Sequence, residues 1–284
     1  MKLLSNTSHS VRASLSFVLS NRLRLFGTHA KRSYIYLVFF FLYAPILILM
    51  IFSFSGSKTR GHWGGFSLKW YTEMFHNANI LQALVNTLLI AFISAIVATI
   101  IGTIASIGIH FMKNNFKSWV MNITYIPVIA PDIVLGVSLM LFFLFVHLRM
   151  GFWTIVLAHI SFNIPYVILS ILPKLKQLNP HLFEAAEDLG ASKLYTIQKV
   201  ILPEIKSGII NGFLLAITLS IDDFVVSFFT KGAGVNTLST LIYAQARKSI
   251  NPSINALSSI MFVVILAMLI IVNKRTKGDE ILNN

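Results

Sequence analysis

The stretch Tyr34–Phe54, with the sequence YIYLVFFFLYAPILILMIFSF, carries no charged side chain over 21 residues and decides the fold class. A helix of this length crosses a bilayer, because the hydrocarbon core is about 30 Å thick and an α-helix rises about 1.5 Å per residue. Five more apolar stretches follow, at Ile80–Ile109, Trp119–His147, Phe152–Leu172, Ser207–Phe229 and Ile254–Val272. The sequence therefore predicts an all-α polytopic membrane protein with about six transmembrane helices.

The composition supports this assignment. The 284 residues are 56% hydrophobic and 12% charged, with a mean hydropathy of +0.76, whereas soluble domains average about 45–50% apolar and about 25% charged residues. Cysteine is absent, which excludes disulfides, thiolate metal sites and cysteine nucleophiles, and the histidines are too scattered to predict a metal site. The net charge of +13 lies mostly between the apolar stretches, so we expect no nucleic-acid partner.

The basic residues predict the orientation. With the N-terminus inside, 16 of the 23 Lys and Arg residues fall on the cytoplasmic side and seven on the other side. This bias follows the positive-inside rule and predicts a cell-membrane protein with both termini in the cytoplasm. We expect a transmembrane domain at 34–273 between cytoplasmic tails at 1–33 and 274–284. Ala13–Ser20 is weakly apolar like a signal peptide, but Arg22 and Arg24 follow it and favour a tail.

The third apolar stretch contains Pro127, Pro131 and Asp132. Proline removes a backbone donor from a helix, and a carboxylate at membrane depth must be paired or solvated. We therefore predict that this span is broken at the prolines, next to protein or water.

A loop of about 34 residues, 173–206, separates the fourth and fifth spans and is long enough to suggest a function. Asn179 suits a helix cap, Pro180 the first helical position and Gly190 the stop. Apolar side chains fall on one stripe of this helix, at Leu182, Ala185, Ala186 and Leu189. A second short helix is predicted to begin after Ser192 and to end before Pro203. The first helix either docks in a groove of a partner or packs on its own loop.

The spacing in this loop resembles the EAA motif of ABC-importer permeases, which is written EAA, three residues, G, nine residues, I-x-L-P. Here the motif is Glu184-Ala185-Ala186, then Gly190, then Val200-Ile201-Leu202-Pro203, with Val200 in place of Ile. The resemblance implies the type I ABC importer permease fold and a coupling helix that inserts into a nucleotide-binding subunit. The residues that it implies for this coupling are Glu184, Ala185, Ala186, Gly190, Leu202 and Pro203.

The chain has no G-x-x-x-x-G-K-[ST] phosphate loop. We therefore expect a chain that is not itself an enzyme and has no cofactor of its own. ATP and Mg²⁺ would be bound by a separate ATPase dimer.

Over about 240 residues the chain also resembles the spermidine/putrescine permeases, specifically their second permease subunit. The resemblance depends on Trp70-Tyr71, Asn86-Thr87-Leu88, Pro131–Val134 with Ser138-Leu139, Ser220–Ser227, and Asn251-Pro252 with Asn255-Ala256-Leu257. It implies a second homologous permease chain and an extracytoplasmic polyamine-binding protein as partners.

The acidic residues of the spans agree with a polycationic substrate. Asp132, Asp222 and Asp223 are the acidic residues within the six predicted spans, and ionisable groups at membrane depth usually mark a substrate path. Asp132 has an alternative role as a helix cap at the Pro131 break. Asp222 and Asp223 are adjacent and cannot face the same way on a helix, so we expect Asp222 to face the path and Asp223 a cap or partner. Trp63 and Trp70 are expected to be interfacial anchors.

Two other functions fit part of the pattern. A permease of the same architecture could carry another solute, such as iron, thiamine or an amino acid. A stand-alone ion-coupled cation transporter would use the same aspartates but leaves Glu184–Pro203 unexplained. A membrane-embedded enzyme is disfavoured, because the sequence suggests no Ser/His or His/Glu constellation at one depth.

Overall fold

The computed structural model describes residues 33–59, 61–248 and 252–282. Within these ranges the chain is helical apart from loops and one isolated antiparallel bridge between Ser55 and Phe66. The helices are α1 Ser33–Phe52, α2 Lys69–His76, α3 Ala78–Phe111, α4 Asn114–Ile129, α5 Asp132–Phe145, α6 Phe152–Gln177, α7 Leu182–Asp188, α8 Lys193–Thr196, α9 Leu202–Glu204, α10 Lys206–Asp222, α11 Val225–Thr230, α12 Leu238–Lys248 and α13 Ser253–Leu282. A π-helical turn, Ile197–Ile201, joins α8 to α9.

The described residues contain between four and six membrane spans. The helices α1, α3, α6 and α13 are each long and apolar enough to cross a bilayer. Two bent pairs complete the set: α4 with α5, at 104°, and the helical segment Lys193–Glu204 with α10, at 70°. The predicted all-α polytopic fold is confirmed, with six crossings if each bent pair crosses once.

The centre of the bundle is formed by α3, α6 and α10, which pack closely through small residues. Ala95, Ala98 and Ala216 are fully buried between these helices. A Cβ added to Gly102 would lie 2.6 Å from Cγ1 of Val167, so the backbone of α3 touches α6 where only glycine fits. Small residues let helix backbones approach in a membrane, where dispersion contacts drive association.

The predicted break in the third span is present. Pro127 lies inside α4, and Ala130, in extended conformation, ends that helix. Pro131 is the N-cap of α5 and Asp132 is its first residue. The chain therefore turns sharply where proline cannot continue the hydrogen-bonded ladder.

The fifth span was predicted as one helix, Ser207–Phe229, and this prediction is wrong. The helix α10 ends at Asp222, Asp223 is extended with φ −61° and ψ 124°, and α11 begins at Val225. The break is stabilised because the Asp223 carboxylate accepts hydrogen bonds from the backbone N–H groups of Val226 and Ser227. An N-terminal cap thus interrupts an otherwise apolar stretch.

Other boundaries differ by a few residues. The helix α6 continues through Pro173 to Gln177, so the loop is shorter than 173–206. The final helix α13 extends to Leu282, into the predicted tail 274–284. Residues 1–32 of the predicted N-terminal tail and Asn251 of the polyamine-permease pattern lie outside the described residues.

Trp70 is a core residue and not an interfacial anchor. It is 1% exposed, and its Nε1–H donates to the backbone oxygen of Ser55 at 2.5 Å. This bond ties α2 to the segment after α1, so the indole serves packing. Trp63 is 48% exposed.

Candidate functional site

An acidic cavity of about 320 Å³ lies where the two broken spans meet α6. Its lining residues come from α4, α5, α6, α10 and α11. They are Pro127, Asp132, Leu135, Phe162, Tyr166, Thr218, Leu219, Asp222, Asp223, Phe224, Val225 and Val226. The structure thus brings all three aspartates of the predicted substrate path to one cavity.

The two helix breaks create this cavity. After the first break α5 packs against α11, and at Gly136 the two helices are close: an added Cβ would lie 3.0 Å from the Phe229 ring and 3.3 Å from the Val225 oxygen. Asp132 begins α5 and Asp222 ends α10, so each break places a carboxylate at the cavity. Since helix ends expose free backbone groups, a polar cavity at this depth is the expected result.

Asp132 and Asp222 are the two accessible carboxylates. Asp132 opens α5, where the partial positive charge of the helix N-terminus favours an anion. It is the first helical residue, and the cap position is taken by Pro131. Asp222 is the last residue of α10. Both are exposed in the isolated chain and line the cavity.

Asp223 is held in the cavity wall. Its side chain is 10% exposed, and its Oδ1 and Oδ2 accept from the N–H groups of Val226 at 3.2 Å and Ser227 at 2.7 Å. Its backbone oxygen accepts from the Ser239 hydroxyl at 2.7 Å. Nε2 of His159 lies 3.4 Å from Oδ2. The carboxylate of Asp223 is therefore already bonded to groups of the protein itself.

His159 was missed by the sequence analysis and is the centre of a buried network. It is 0% exposed; its Nδ1 lies 2.5 Å from the Ser220 hydroxyl and its Nε2 3.0 Å from the Ser227 hydroxyl. Ser220 also contacts the hydroxyl of Ser94 at 3.0 Å. The network joins α3, α6, α10 and α11. A histidine inside an apolar span was the signal that could have revealed it.

This network corrects the expectation that no Ser/His constellation stands at one depth. Ser220, His159 and Asp223 are close together, but Ser220 is only 3% exposed. A nucleophile must reach a substrate carbonyl, so this hydroxyl is unsuited to acyl transfer. The network connects helices, and buried polar groups of this kind specify one arrangement of a bundle.

The carboxylates of the cavity do not form a metal site. Across the described parts of the chain, no three His, Asp or Glu residues are grouped so that they could hold a metal ion. The cavity also contains aromatic walls, from Phe162, Tyr166 and Phe224. Carboxylates together with aromatic faces are suited to an organic cation.

The loop between α6 and α10 has the predicted helix stop at Gly190. This glycine has φ +86°, its N–H donates to Glu187 at 2.8 Å, and the N–H of Ala191 donates to Ala186 at 3.1 Å. These two bonds form a Schellman motif, which requires a left-handed residue at this position. The helix begins later than predicted: α7 starts at Leu182 with His181 as its N-cap, so Asn179 and Pro180 lie before it, and the Asn179 side chain accepts from the N–H of His181.

The second helix of the loop begins at Lys193, as predicted, with Ser192 as its cap. It was expected to end before Pro203 and instead continues to Glu204 through the π-helical turn. In that turn the N–H of Leu202 donates to Ile197. The wider turn makes room for Pro203, whose ring would otherwise clash with the carbonyl four residues earlier.

The apolar side chains of the loop divide between the bundle and the surface. Leu182 and Phe183 pack against the central core, and the Phe183 ring is 5.0 Å from that of Phe111. Leu189, Leu194 and Tyr195 are 90%, 65% and 56% exposed. The predicted stripe is thus split, because Leu189 lies past the end of the short helix.

The polar residues of the EAA pattern face outward. Glu184 is exposed, and its Oε2 lies 3.1 Å from Nδ1 of His181. Ala185 and Pro203 are also exposed, whereas Ala186 and Leu202 are half-buried. The loop therefore presents a partly apolar surface at the other end of α10 from Asp222. The 17 residues of α10 separate the loop from Asp222 by about 24 Å.

Broken spans around an acidic cavity, with a rigid helical loop at one end, define a multi-pass solute permease. The family described as "Binding-protein-dependent transport system inner membrane component" matches residues 98–274, more than half of the chain. The chain belongs to this family. It is an inner-membrane permease component of such a system and not its ATPase.

Proteins of similar sequence match most of the chain. It is 36% identical over 250 residues to the "Spermidine/putrescine transport system permease protein PotC" of Haemophilus influenzae, covering 88% of this chain and 97% of the relative. It is 38% identical over 234 residues to the "Putrescine transport system permease protein PotI" of Escherichia coli, covering 78% and 82%.

Solved structures agree in fold. A bacterial ABC transporter that imports the acidic polysaccharide alginate aligns with a TM-score of 0.64 at 18% identity, covering 85% of this chain and 92% of that chain. The MetNI methionine ABC transporter aligns with a TM-score of 0.56 at 18% identity, covering 73% and 98%. These matches support the ABC importer permease fold.

Proposed function

We propose that this chain is a permease subunit of an ATP-driven importer of polyamines such as spermidine and putrescine. The observation that carries the proposal is the convergence of Asp132, Asp222 and Asp223 on one cavity with aromatic walls. The names of the relatives, which are polyamine permeases at 36% and 38% identity, support the same substrate class.

The two accessible carboxylates are the groups that would pair with the substrate. A polyamine carries several ammonium groups. Within the described residues no hydrogen bond or ion pair occupies the side chain of Asp132 or Asp222, whereas Asp223 is already bonded to the protein. Removing an ammonium group from water is costly unless it is paired with an anion. An anionic solute would meet charges of the wrong sign.

The loop from α7 to α9 would couple the cavity to ATP hydrolysis. Glu184, Ala185, Ala186, Gly190, Leu202 and Pro203 belong to the motif, and exposed Leu189, Leu194 and Tyr195 surround it. An exposed apolar surface on a fixed helix suits a groove of a nucleotide-binding subunit. ATP and Mg²⁺ would be bound by that subunit.

The assembly would contain four kinds of chain. This permease and a second homologous permease form the path, an ATPase dimer binds the coupling loops, and an extracytoplasmic binding protein delivers the polyamine. Both termini and the coupling loop would lie in the cytoplasm, as the bias of 16 against seven basic residues suggests.

Uptake by the assembled transporter tests the substrate. Cells that contain all components should accumulate radiolabelled spermidine and putrescine, and excess iron, thiamine or amino acid should not compete. Asp132→Asn and Asp222→Asn should each reduce the uptake rate at least tenfold, because each loses a charged partner worth about 1.5–3 kcal/mol. Unchanged uptake in both variants, or competition by another solute, would overturn the polyamine assignment.

Co-purification tests the coupling loop. Glu184→Ala and Leu189→Ala should weaken recovery of the ATPase with this chain and lower substrate-dependent ATP hydrolysis. Glu73→Ala, at an exposed position of helix α2 and paired only with Lys69 in the described structure, is the matched control. Polyamine transport by the purified chain without any ATPase would contradict the proposed mechanism.

A further inference from the structure

The three central helices α3, α6 and α10 meet in layers, each with one residue from each helix. In one layer the Ser220 hydroxyl contacts both Nδ1 of His159 and the hydroxyl of Ser94. The layer about two helical turns away consists of Gly102, Val167 and Gly212. There, Cβ atoms added to the two glycines would lie 2.6 Å and 3.3 Å from Cγ1 of Val167. In both layers the large side chain therefore comes from α6 and the small ones from α3 and α10.

The layer between these two contains Ala98, Asn163 and Ala216. Each of them lies midway in the chain between the residues that its helix contributes to the neighbouring layers. All three residues are 0% exposed. The residues opposite Asn163 on α3 and α10 are thus alanines, whose methyl groups take up little room and offer the amide no polar atom.

The Asn163 amide has no hydrogen-bond partner within the described residues. Its Nδ2 and its Oδ1 are both shielded from solvent and unpaired, and so is Oγ1 of Thr99. Thr99 follows Ala98 in α3 and therefore lies at the level of Asn163. Buried polar groups are nearly always hydrogen-bonded, because an unpaired one keeps the full cost of its desolvation. Three such atoms at one level indicate a small polar ligand.

Burial restricts what this ligand can be. The three atoms are enclosed by the chain itself, so a lipid, a partner subunit or a polyamine cannot reach them. The acidic cavity includes the neighbouring Phe162 in its lining, but not Asn163. A water molecule both donates and accepts, and a buried water typically makes about three hydrogen bonds. An amide NH₂ that donates, an amide oxygen that accepts and a hydroxyl that does either match those bonds.

We propose that Asn163 and Thr99 hold one trapped water molecule at the centre of the bundle. The water joins α6 to α3, as Ser220 joins His159 to Ser94 in the next layer. It extends the polar network of His159 by one helical turn, away from the acidic cavity. This inference concerns the packing of the bundle and does not depend on which solute is transported.

Thermal unfolding of the purified, assembled transporter tests the site. Asn163→Leu keeps the size of the side chain, removes the amide and leaves Thr99 without its water, so the unfolding midpoint should fall by several degrees. Thr99→Val should lower it less, because one hydroxyl is lost. Adding Thr99→Val to Asn163→Leu should cause no further fall, since both changes act through the same water.

An amide without water would give the opposite sign. Asn163→Leu would then replace an unpaired polar group by an apolar one and raise the midpoint, which would overturn the proposal. Thr103→Val is the matched control, because the Thr103 hydroxyl already donates to the backbone oxygen of Thr99 at 2.7 Å. Its effect should add in full to that of Asn163→Leu. Full additivity of Thr99→Val with Asn163→Leu would also overturn the shared water.

A cryo-EM map that resolves ordered waters provides the direct observation. The unaltered transporter should show one density within hydrogen-bond distance of both the Asn163 amide and the Thr99 hydroxyl, and a map without it would overturn the site. The density should be lost in Asn163→Leu. If that variant fails to assemble, the map of the unaltered protein and the sign of the Thr99→Val effect still decide the question.

Discussion

Nε2 of His159 and Oδ2 of Asp223 lie 3.4 Å apart in the wall of the acidic cavity. This contact joins the middle of α6 to the break between α10 and α11. The same carboxylate caps α11 through Val226 and Ser227. Asp223 thereby positions its neighbour Asp222, which ends α10 and remains accessible.

Replacing His159 tests the network. His159→Ala leaves the hydroxyls of Ser220 and Ser227 without their imidazole partner and removes a buried ring. Each buried group left unsatisfied costs about 1–3 kcal/mol, so the thermal unfolding midpoint of the detergent-purified chain should fall by several degrees. His76→Ala is the control, because His76 is exposed and, among the described residues, its imidazole hydrogen-bonds only to the backbone oxygen of Thr72 in its own helix. Equal midpoints for both variants would show that the buried network adds no stability.

Substitutions at the adjacent residues Asp222 and Asp223 should have different effects, the first on transport and the second on stability. Asp222→Asn removes an accessible charge and should reduce polyamine uptake with little change in thermal stability. Asp223→Asn places an amide NH₂ toward the N–H groups of Val226 and Ser227, which requires one donor to face another. We expect this variant to lose about 1–2 kcal/mol of stability, the usual cost of a lost helix cap. The same loss of stability in both variants would contradict the division of roles.

Sequence-based prediction succeeded where the signal is local. Apolar runs gave the spans, Pro131 the break of the third span, and Gly190 the stop of the loop helix, because each depends on backbone chemistry within a few residues. The position of the cavity follows from the two breaks and could be predicted only in part. The sequence around Asp223 contains no proline or glycine that would mark a helix break within the apolar stretch.

Tertiary contacts explain what was missed. The bonds of Ser220 to His159 and to Ser94 join residues that are 61 and 126 positions apart. No local pattern marks such pairs. Trp70 likewise is of a residue type that often anchors a helix at the membrane interface. Only the fold shows that its indole is buried against the chain segment at Ser55.

Replacing Gly190 should destabilise the loop through its backbone conformation and not through a steric clash. Gly190 has φ +86°, and an added Cβ would meet no atom within 4 Å. Gly190→Ala should therefore cost about 1–2 kcal/mol from left-handed strain alone and should reduce ATPase co-purification. Gly190→Asn should be milder, because Asn tolerates this conformation.

The matched control for this strain is Gly108→Ala. Gly108 also has open space around an added Cβ, but it lies within helix α3 and has no positive φ. Alanine there should be neutral or slightly stabilising. If Gly190→Ala behaved like Gly108→Ala in both stability and ATPase recovery, the positive φ of Gly190 would have no role in the loop.

The contact between Gly102 and Val167 allows a compensation experiment on the bundle itself. A Cβ at position 102 would lie 2.6 Å from Cγ1 and 2.8 Å from Cβ of Val167, so Gly102→Ala must push α3 away from α6 and should cost about 1–3 kcal/mol. Val167→Ala alone leaves a gap and should also destabilise, by about 1 kcal/mol or more. The double variant removes the clash by shortening the opposing side chain, so its unfolding midpoint should be higher than that of Gly102→Ala alone. Since the cost of each change depends on the other, the two effects should fail to add. Strict additivity of the two losses would mean that these helices are not held together at this glycine.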